Sequence, residues 1–143
     1  MNSSPLIVEM SYAVPAATIW EAITGKEAMQ KWYFDIKDFK PEVGCIFSFY
    51  EPGGANKYLH QCEIIAVVPF QQLQYTWSYP HQSKGKTLVS WNILAEGNAT
   101  KVVLTHEGLE TFADAGDAFT RENFETGWKE ILSTSLKNYL ENS

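Results

Sequence analysis

The sequence predicts an α+β domain. An antiparallel sheet of about six or seven strands curves around one long C-terminal helix, with two short helices after the first strand. Three observations predict it. The stretch from Asp117 to Asn142 is the single long helical pattern, with Phe124, Trp128, Ile131, Leu132, Ser135, Leu136, Tyr139 and Leu140 recurring at steps of three and four. Almost everything before it alternates apolar and polar residues with the period of two that marks a half-buried strand. Turn residues punctuate those runs at short intervals, so successive strands pair antiparallel.

The elements follow in order. Leu6 to Val14 alternates and forms the first strand. Pro15 stops it and suits the first turn of a helix. Residues 16–23 place Ile19, Trp20 and Ile23 on one face, and Gly25 ends that helix. Glu27 to Tyr33 is a second short helix grouping Ala28, Met29 and Trp32. Asp35 to Phe39 carries a faint strand pattern, and Pro41 to Gly44 a turn. Cys45 to Glu51 alternates with Phe47 and Phe49 on one side. Pro52 to Asn56 is a loop. Lys57 to Val68 is a long strand in which Ile64-Ile65 and Val67-Val68 break alternation and predict a bulge. After Pro69 to Gln72, residues Leu73, Tyr75 and Trp77 face inward against Gln74, Thr76 and Ser78. Pro80 to Gly85 is a polar loop. Lys86 to Ala95 and Thr100 to Leu109 form a hairpin about Glu96 to Ala99, with Val89, Trp91 and Ile93 on one arm and Val102, Leu104 and His106 on the other. Leu109 to Gly116 crosses to the long helix, which Asp117 or Thr120 caps. Opposite the apolar stripe, Glu125 and Lys129 are spaced as a favourable pair.

The 143 residues suit one domain, taken here as 1–143, with a core that needs no staples. A net charge of −6 with scattered Lys and Arg excludes a nucleic-acid footprint and disfavours an anionic membrane surface. No apolar run is long enough for a membrane span, and Met1 to Met10 lacks a secretory pattern, so a cytoplasmic location is expected. Cys45 and Cys62 lie in strand-like runs as small buried hydrophobes. Asn98-Ala99-Thr100 has the form of a glycosylation sequon, but without a secretory route it is a hairpin turn.

Several stretches taken together carry a family resemblance. They are residues 14–23, Met29 to Tyr33, Val43 to Phe49, Val68 to Trp77, Val103 to Leu109, and Gly127-Trp128 with Leu132 and Leu136. In this order, over nearly the whole chain, they resemble the helix-grip fold of the START-like (SRPBCC) superfamily. Within it the chain is similar to stand-alone proteins related to the C-terminal domain of activators of the heat shock protein 90 ATPase. Gly44-Cys45 stands where that family usually has a double glycine. The resemblance implies a cavity between helix and sheet. Family members include ligand carriers, chaperone regulators involved in the stress response, and occasional enzymes, so the fold alone does not settle function. No segment here is long enough to be the separate chaperone-binding domain of a complete activator.

Candidate chemistry centres on rings. Eight Phe, seven Tyr and five Trp give twenty, an excess for a small core. By strand and helix parity Trp32, Phe47, Phe49, Tyr75, Trp77, Trp91, Phe124 and Trp128 face the space between helix and sheet. They are either plain core, touching one another, or the wall of a pocket for a small hydrophobic or amphipathic molecule such as a lipid. Tyr58, Tyr75, His106 or Gln61 would orient its polar end. His106 titrates near neutral pH when unperturbed. With no nucleophile and third orienting group beside it, a structural hydrogen bond to a neighbouring strand or to Tyr139 is the plainer role. His60, His81, His106, Cys45 and Cys62 lack metal-ligand spacing, and Gly53-Gly54 lacks the residues of a phosphate loop, so neither metal nor cofactor is expected. Glu107, Glu110, Asp114 and Asp117 read as a solvated loop or a docking patch for a basic partner. The leading expectation is a non-enzymatic ligand-binding protein. The alternative is a regulator acting on a chaperone through its surface, and an enzyme in the same cavity ranks third. Monomer and homodimer both stay open.

Overall fold

In the computed structural model, which describes residues 5–33, 36, 39–50, 59–115 and 120–141, the apolar alternation of the sequence becomes one buried sheet face. The strands are β1 (Leu6–Tyr12), β2 (Ile46–Tyr50), β3 (Leu59–Val68), β4 (Gln72–Ser78), β5 (Lys86–Glu96) and β6 (Ala99–Glu107). They pair antiparallel in the order β1-β6-β5-β4-β3-β2. Helices α1 (Ala16–Thr24) and α2 (Lys26–Trp32) carry the chain from one edge strand, β1, to the other, β2. They bury Ile19, Ala22, Ile23, Ala28, Met29 and Trp32 against the sheet, while Trp20 is half-buried.

Two local features follow from sequence. Glu96 pairs with Ala99 across Gly97-Asn98, and Gly97 adopts φ 63°, a left-handed conformation that glycine takes without a Cβ clash. The register of β3 on β4 shifts between Ile64 and Ala66, so Ile64 and Val67 both pack on the core despite their odd spacing.

The C-terminal helical run spans 121–141 and is capped by Thr120, whose side chain accepts from the Asn123 amide at 3.3 Å. It is α-helical over α3 (Arg121–Glu130), widens to a π-helical turn over Ile131–Leu136, and returns to α in α4 (Lys137–Glu141). Trp128, Leu132, Leu136 and Leu140 are its buried residues. The Tyr12 hydroxyl at the end of β1 donates to the Leu132 carbonyl at 2.7 Å, inside the π turn. Glu125 and Lys129 pair at 3.3 Å.

Three expectations change. The stretch after β6 is not a plain crossover: Leu109–Ala115 is a 3-10 helix anchored by buried Phe112. Of the faint strand at 35–39 only Ile36 and Phe39 are described. Both are buried and neither is in a strand, because Phe39 turns its ring edge-on to Phe47 at 5.0 Å rather than joining the sheet. Asp114 does more than solvate a loop, since its carboxylate accepts from the Ser83 hydroxyl at 2.5 Å and the Lys84 amide at 3.1 Å. Tyr58, Asp117 and the 52–56 loop lie outside the described residues.

Candidate functional site

Inward parity on four elements brings the rings together. Trp32 at the end of α2, Phe47 on β2, Tyr75 on β4 and Trp91 on β5 surround a void of about 10 Å³, which Met29 and Tyr33 help to close. That is room for about one water molecule. Trp32 meets Tyr33 in a stack at 5.0 Å and Trp91 edge-on at 6.2 Å. The side-chain polar groups of the lining are two phenols and two indole N–H groups. Tyr75 Oη accepts from Trp91 Nε1 at 2.9 Å and lies 3.5 Å from Tyr33 Oη. Burial holds both phenols well above their ordinary pKa, so both stay neutral.

A second group of rings adjoins the first. Trp128 sits edge-on to Trp77 at 5.4 Å and to Trp91 at 5.9 Å, which joins the C-terminal helix to β4 and β5. Phe49 stacks on His60 at 4.6 Å and stands edge-on to Trp77 at 5.7 Å. Phe124 is only half-buried; it closes the side of this group against His106 at 5.2 Å and Phe112 at 5.7 Å.

His106 is fully buried, and both its nitrogens are engaged. Trp128 Nε1, which can only donate, reaches Nδ1 at 3.0 Å. Nε2 lies 2.7 Å from Thr87 Oγ1, whose own proton goes to the Trp77 carbonyl at 2.9 Å. Nε2 must therefore carry the imidazole proton and Nδ1 must accept. Burial pushes the pKa of His106 down to about 3, so the ring is neutral at physiological pH. This imidazole ties helix to sheet and has no free nitrogen with which to move a proton. Its partners are Thr87 and Trp128 rather than Tyr139.

Two more buried indoles are likewise satisfied. Trp32 Nε1 donates to the Ala22 carbonyl and Trp77 Nε1 to Tyr79 Oη, each at 2.9 Å. No described Asp, Glu, Lys or Arg is buried, and among the described residues no three His, Cys, Asp or Glu side chains gather as a metal set.

Gln61 does not reach this interior. The β3 register leaves it exposed on the outer sheet face, where its carbonyl accepts from Ser78 at 3.0 Å. Tyr33, Tyr79 and Thr87 were not singled out from sequence. Thr87 shares the parity of Val89 and Trp91, so its inward orientation was readable. Tyr33 follows Trp32 without a periodic signal of its own.

A larger open space of about 350 Å³ lies elsewhere, between the end of β1 and the last helical turn, lined by Tyr12, Val14, Lys137, Leu140 and Glu141 among others.

The family model of Activator of Hsp90 ATPase homolog 1-like proteins matches residues 13–141. The chain belongs to this family. Its α+β helix-grip architecture is shared by solved structures. Protein MLL2253 from Mesorhizobium loti is 24% identical, with a TM-score of 0.79 over 98% of each chain. CalU16 from Micromonospora echinospora is 20% identical, with a TM-score of 0.72 over 94% of this chain and 74% of its own. The Aha1 dimer from Colwellia psychrerythraea is 22% identical, with a TM-score of 0.74 over 96% of each chain. No curated protein matches the sequence. No helix of the described residues of this Aha1-like domain is long and apolar enough to cross a membrane.

Proposed function

We propose that this Aha1-like domain is a non-catalytic binding protein that takes a small, flat, hydrophobic or amphipathic molecule into its aromatic interior. One observation carries the reading. The void between α2 and the sheet is walled by rings, and Tyr33 and Tyr75 set two phenol hydroxyls beside it. Apolar walls with a few convergent polar groups are the usual make-up of a small-molecule site. The guest's apolar body lies among Trp32, Phe47, Phe49, Trp77, Trp91 and Trp128, and its polar end meets Tyr75 and Tyr33. Tyr58, the residue before β3 in sequence, is proposed for the same polar end, while His106 backs Trp128 and Phe124 packs on His106. The void holds about one water, so binding displaces rings and is coupled to a conformational step. Burial of apolar area supplies the affinity, about 25 cal/mol per Å².

The test is a panel of fatty acids, sterols and aromatic metabolites, followed by tryptophan fluorescence and melting temperature. A true guest raises the melting temperature and changes emission in the wild type, and binds more weakly to Tyr75→Phe. If no compound in the panel gives either response, the reading is wrong.

A second reading, a regulator acting through its surface on a chaperone or on another copy of the chain, is favoured by the outside of the molecule. Val43, Ile46, Ile65, Val68, Phe70 and Leu94 are exposed. Pairing of β3 with β4, and of β4 with β5, brings Val68, Phe70 and Leu94 to one end of the sheet. The Colwellia relative is a dimer in its solution structure, which supports self-association for this fold. Stimulation of an Hsp90 ATPase by the purified chain supports the chaperone arm, and unchanged turnover together with no complex counts against it.

A further inference from the structure

The two edges of the sheet differ in how they are guarded. β1 carries Glu9, which pairs with Lys101 at 3.0 Å, and Arg121 of α3 donates to the Pro5 carbonyl beside its start. Charges and covering elements are the ordinary protection of an edge. Among the described residues β2 has neither. Its sequence, Ile46-Phe47-Ser48-Phe49-Tyr50, holds no charge and no proline.

Hydrogen-bond parity shows which groups β2 leaves open. Ile64 donates to the Cys45 carbonyl at 2.9 Å and its own carbonyl accepts from the Gly44 amide at 2.8 Å, so Gly44 and Cys45 together oppose Ile64 in a bulge, with Cys45 in the bonded position on the β2 side. In an antiparallel ladder bonded positions recur every second residue. Phe47 and Phe49 therefore bond inward to Cys62 and His60. The amides and carbonyls of Ile46, Ser48 and Tyr50 point away from the sheet. Their side chains stand on the outer face, with Ile46 57% and Tyr50 42% exposed.

We propose that this edge binds β2 of a second copy of the chain, antiparallel, about a twofold axis at Ser48. This rests on the reading that the chain associates through its surface. The occupant follows from the strand itself, which has the same character read in either direction. About Ser48, Ile46 of one copy faces Tyr50 of the other on the outer side. The two Ser48 residues face each other, and Phe47 faces Phe49 on the inner side. A twofold interface requires such self-complementarity. Each facing pair, 46 with 50, 48 with 48 and 50 with 46, exchanges the two bonds of a hydrogen-bonded pair. The two sheets become one. A five-residue edge buries little area, so the dimer is weak and reversible.

The twofold at Ser48 gives a charge-swap test. Sedimentation velocity across a range of concentrations is measured for the wild type, Ser48→Lys, Ser48→Glu and an equimolar mixture of the two variants. The proposal expects a wild-type dimer, weakening by roughly tenfold or more in each variant alone, and recovery in the mixture as a heterodimer. Melting curves should stay near wild type, because Ser48 is half-buried on an outer face. A wild type that dimerises equally well with either variant charge overturns the β2 interface but leaves self-association standing. A wild type that is monomeric at every concentration overturns both.

Discussion

Replacing His106 by Gln should remove a specific part of the chain's acid sensitivity while keeping its fold. A Gln amide can donate to Thr87 Oγ1 and accept from Trp128 Nε1, so it can stand in for both bonds that the imidazole makes. What it cannot do is titrate. His106 has its folded pKa at about 3 because of burial, against an ordinary value of 6.5. Between these two pH values the unfolded chain binds a proton that the folded chain refuses. Stability therefore rises with pH across that window and is lost as pH falls through it. From pH 7 to pH 5 this single group removes about 2 kcal/mol of folding stability. The side chains packed on the ring (Trp77, Thr87, Phe124 and Trp128) carry no charge that would offset the effect. The assay is urea unfolding by tryptophan fluorescence at pH 7, 6 and 5, for wild type and His106→Gln. The wild-type loss should exceed the variant's by that amount, and the subtraction cancels contributions from every other group. Parallel pH profiles would refute the buried neutral imidazole, as would an imidazole resonance of folded His106 titrating near its ordinary value.

Three further outcomes are expected. Leu136→Ala should cost about 2–5 kcal/mol in the same assay, since a fully buried leucine at the helix–sheet contact leaves a cavity behind; a loss under half a kcal/mol would show that the helix does not grip there. Tyr12→Phe should cost roughly 1–2 kcal/mol by leaving the Leu132 carbonyl without its donor, and an unchanged urea midpoint would mean that the carbonyl finds another partner. Gly85→Ala should destabilise by roughly 1–3 kcal/mol, because its new Cβ would collide with the Thr111 carbonyl, while Gly127→Ala, in a helix with open space around it, offers a control without a clash.

Where one face of a strand is buried, the sequence spells out its orientation. Leu73, Tyr75 and Trp77 alternate without exception, and all three are inside. The doubled apolar residues at Ile64-Ile65 marked a bulge because the core needs both Ile64 and Val67 from a run whose parity allows only one of them. Gln61 shows where this reasoning stops. It lies on the same strand, in the half whose parity the bulge obscured, and it turned out to face solvent. The clustering of the rings was readable, since each carries its own parity, but the space left between them was not. That space depends on how Trp32, Tyr33 and Phe47 interlock, which is tertiary packing. His106 was legible as inward-facing. Its role was not, because the indole that fixes its tautomer arrives from a helix 22 residues later.

The C-terminal helix carries one more signal that period counting alone passes over. Its buried residues Trp128, Leu132, Leu136 and Leu140 stand at a strict spacing of four. In an α-helix of 3.6 residues per turn, each step of four overshoots by about 40°. Over three steps the stripe would drift by roughly 120° and carry Leu140 away from the sheet that Trp128 faces. A π turn is wider, with roughly 4.4 residues per turn, so the same step undershoots by a similar angle. Placing six residues of π geometry, Ile131–Leu136, within this stretch brings the average close to four and keeps all four side chains on one line. Such a turn opens carbonyls that an α-helix would pair, and Tyr12 donates to the one at Leu132. The stripe, the widened turn and the tyrosine at the end of β1 are therefore one device, in which the last strand-end residue before α1 stabilises the geometry that keeps Trp128 over the rings.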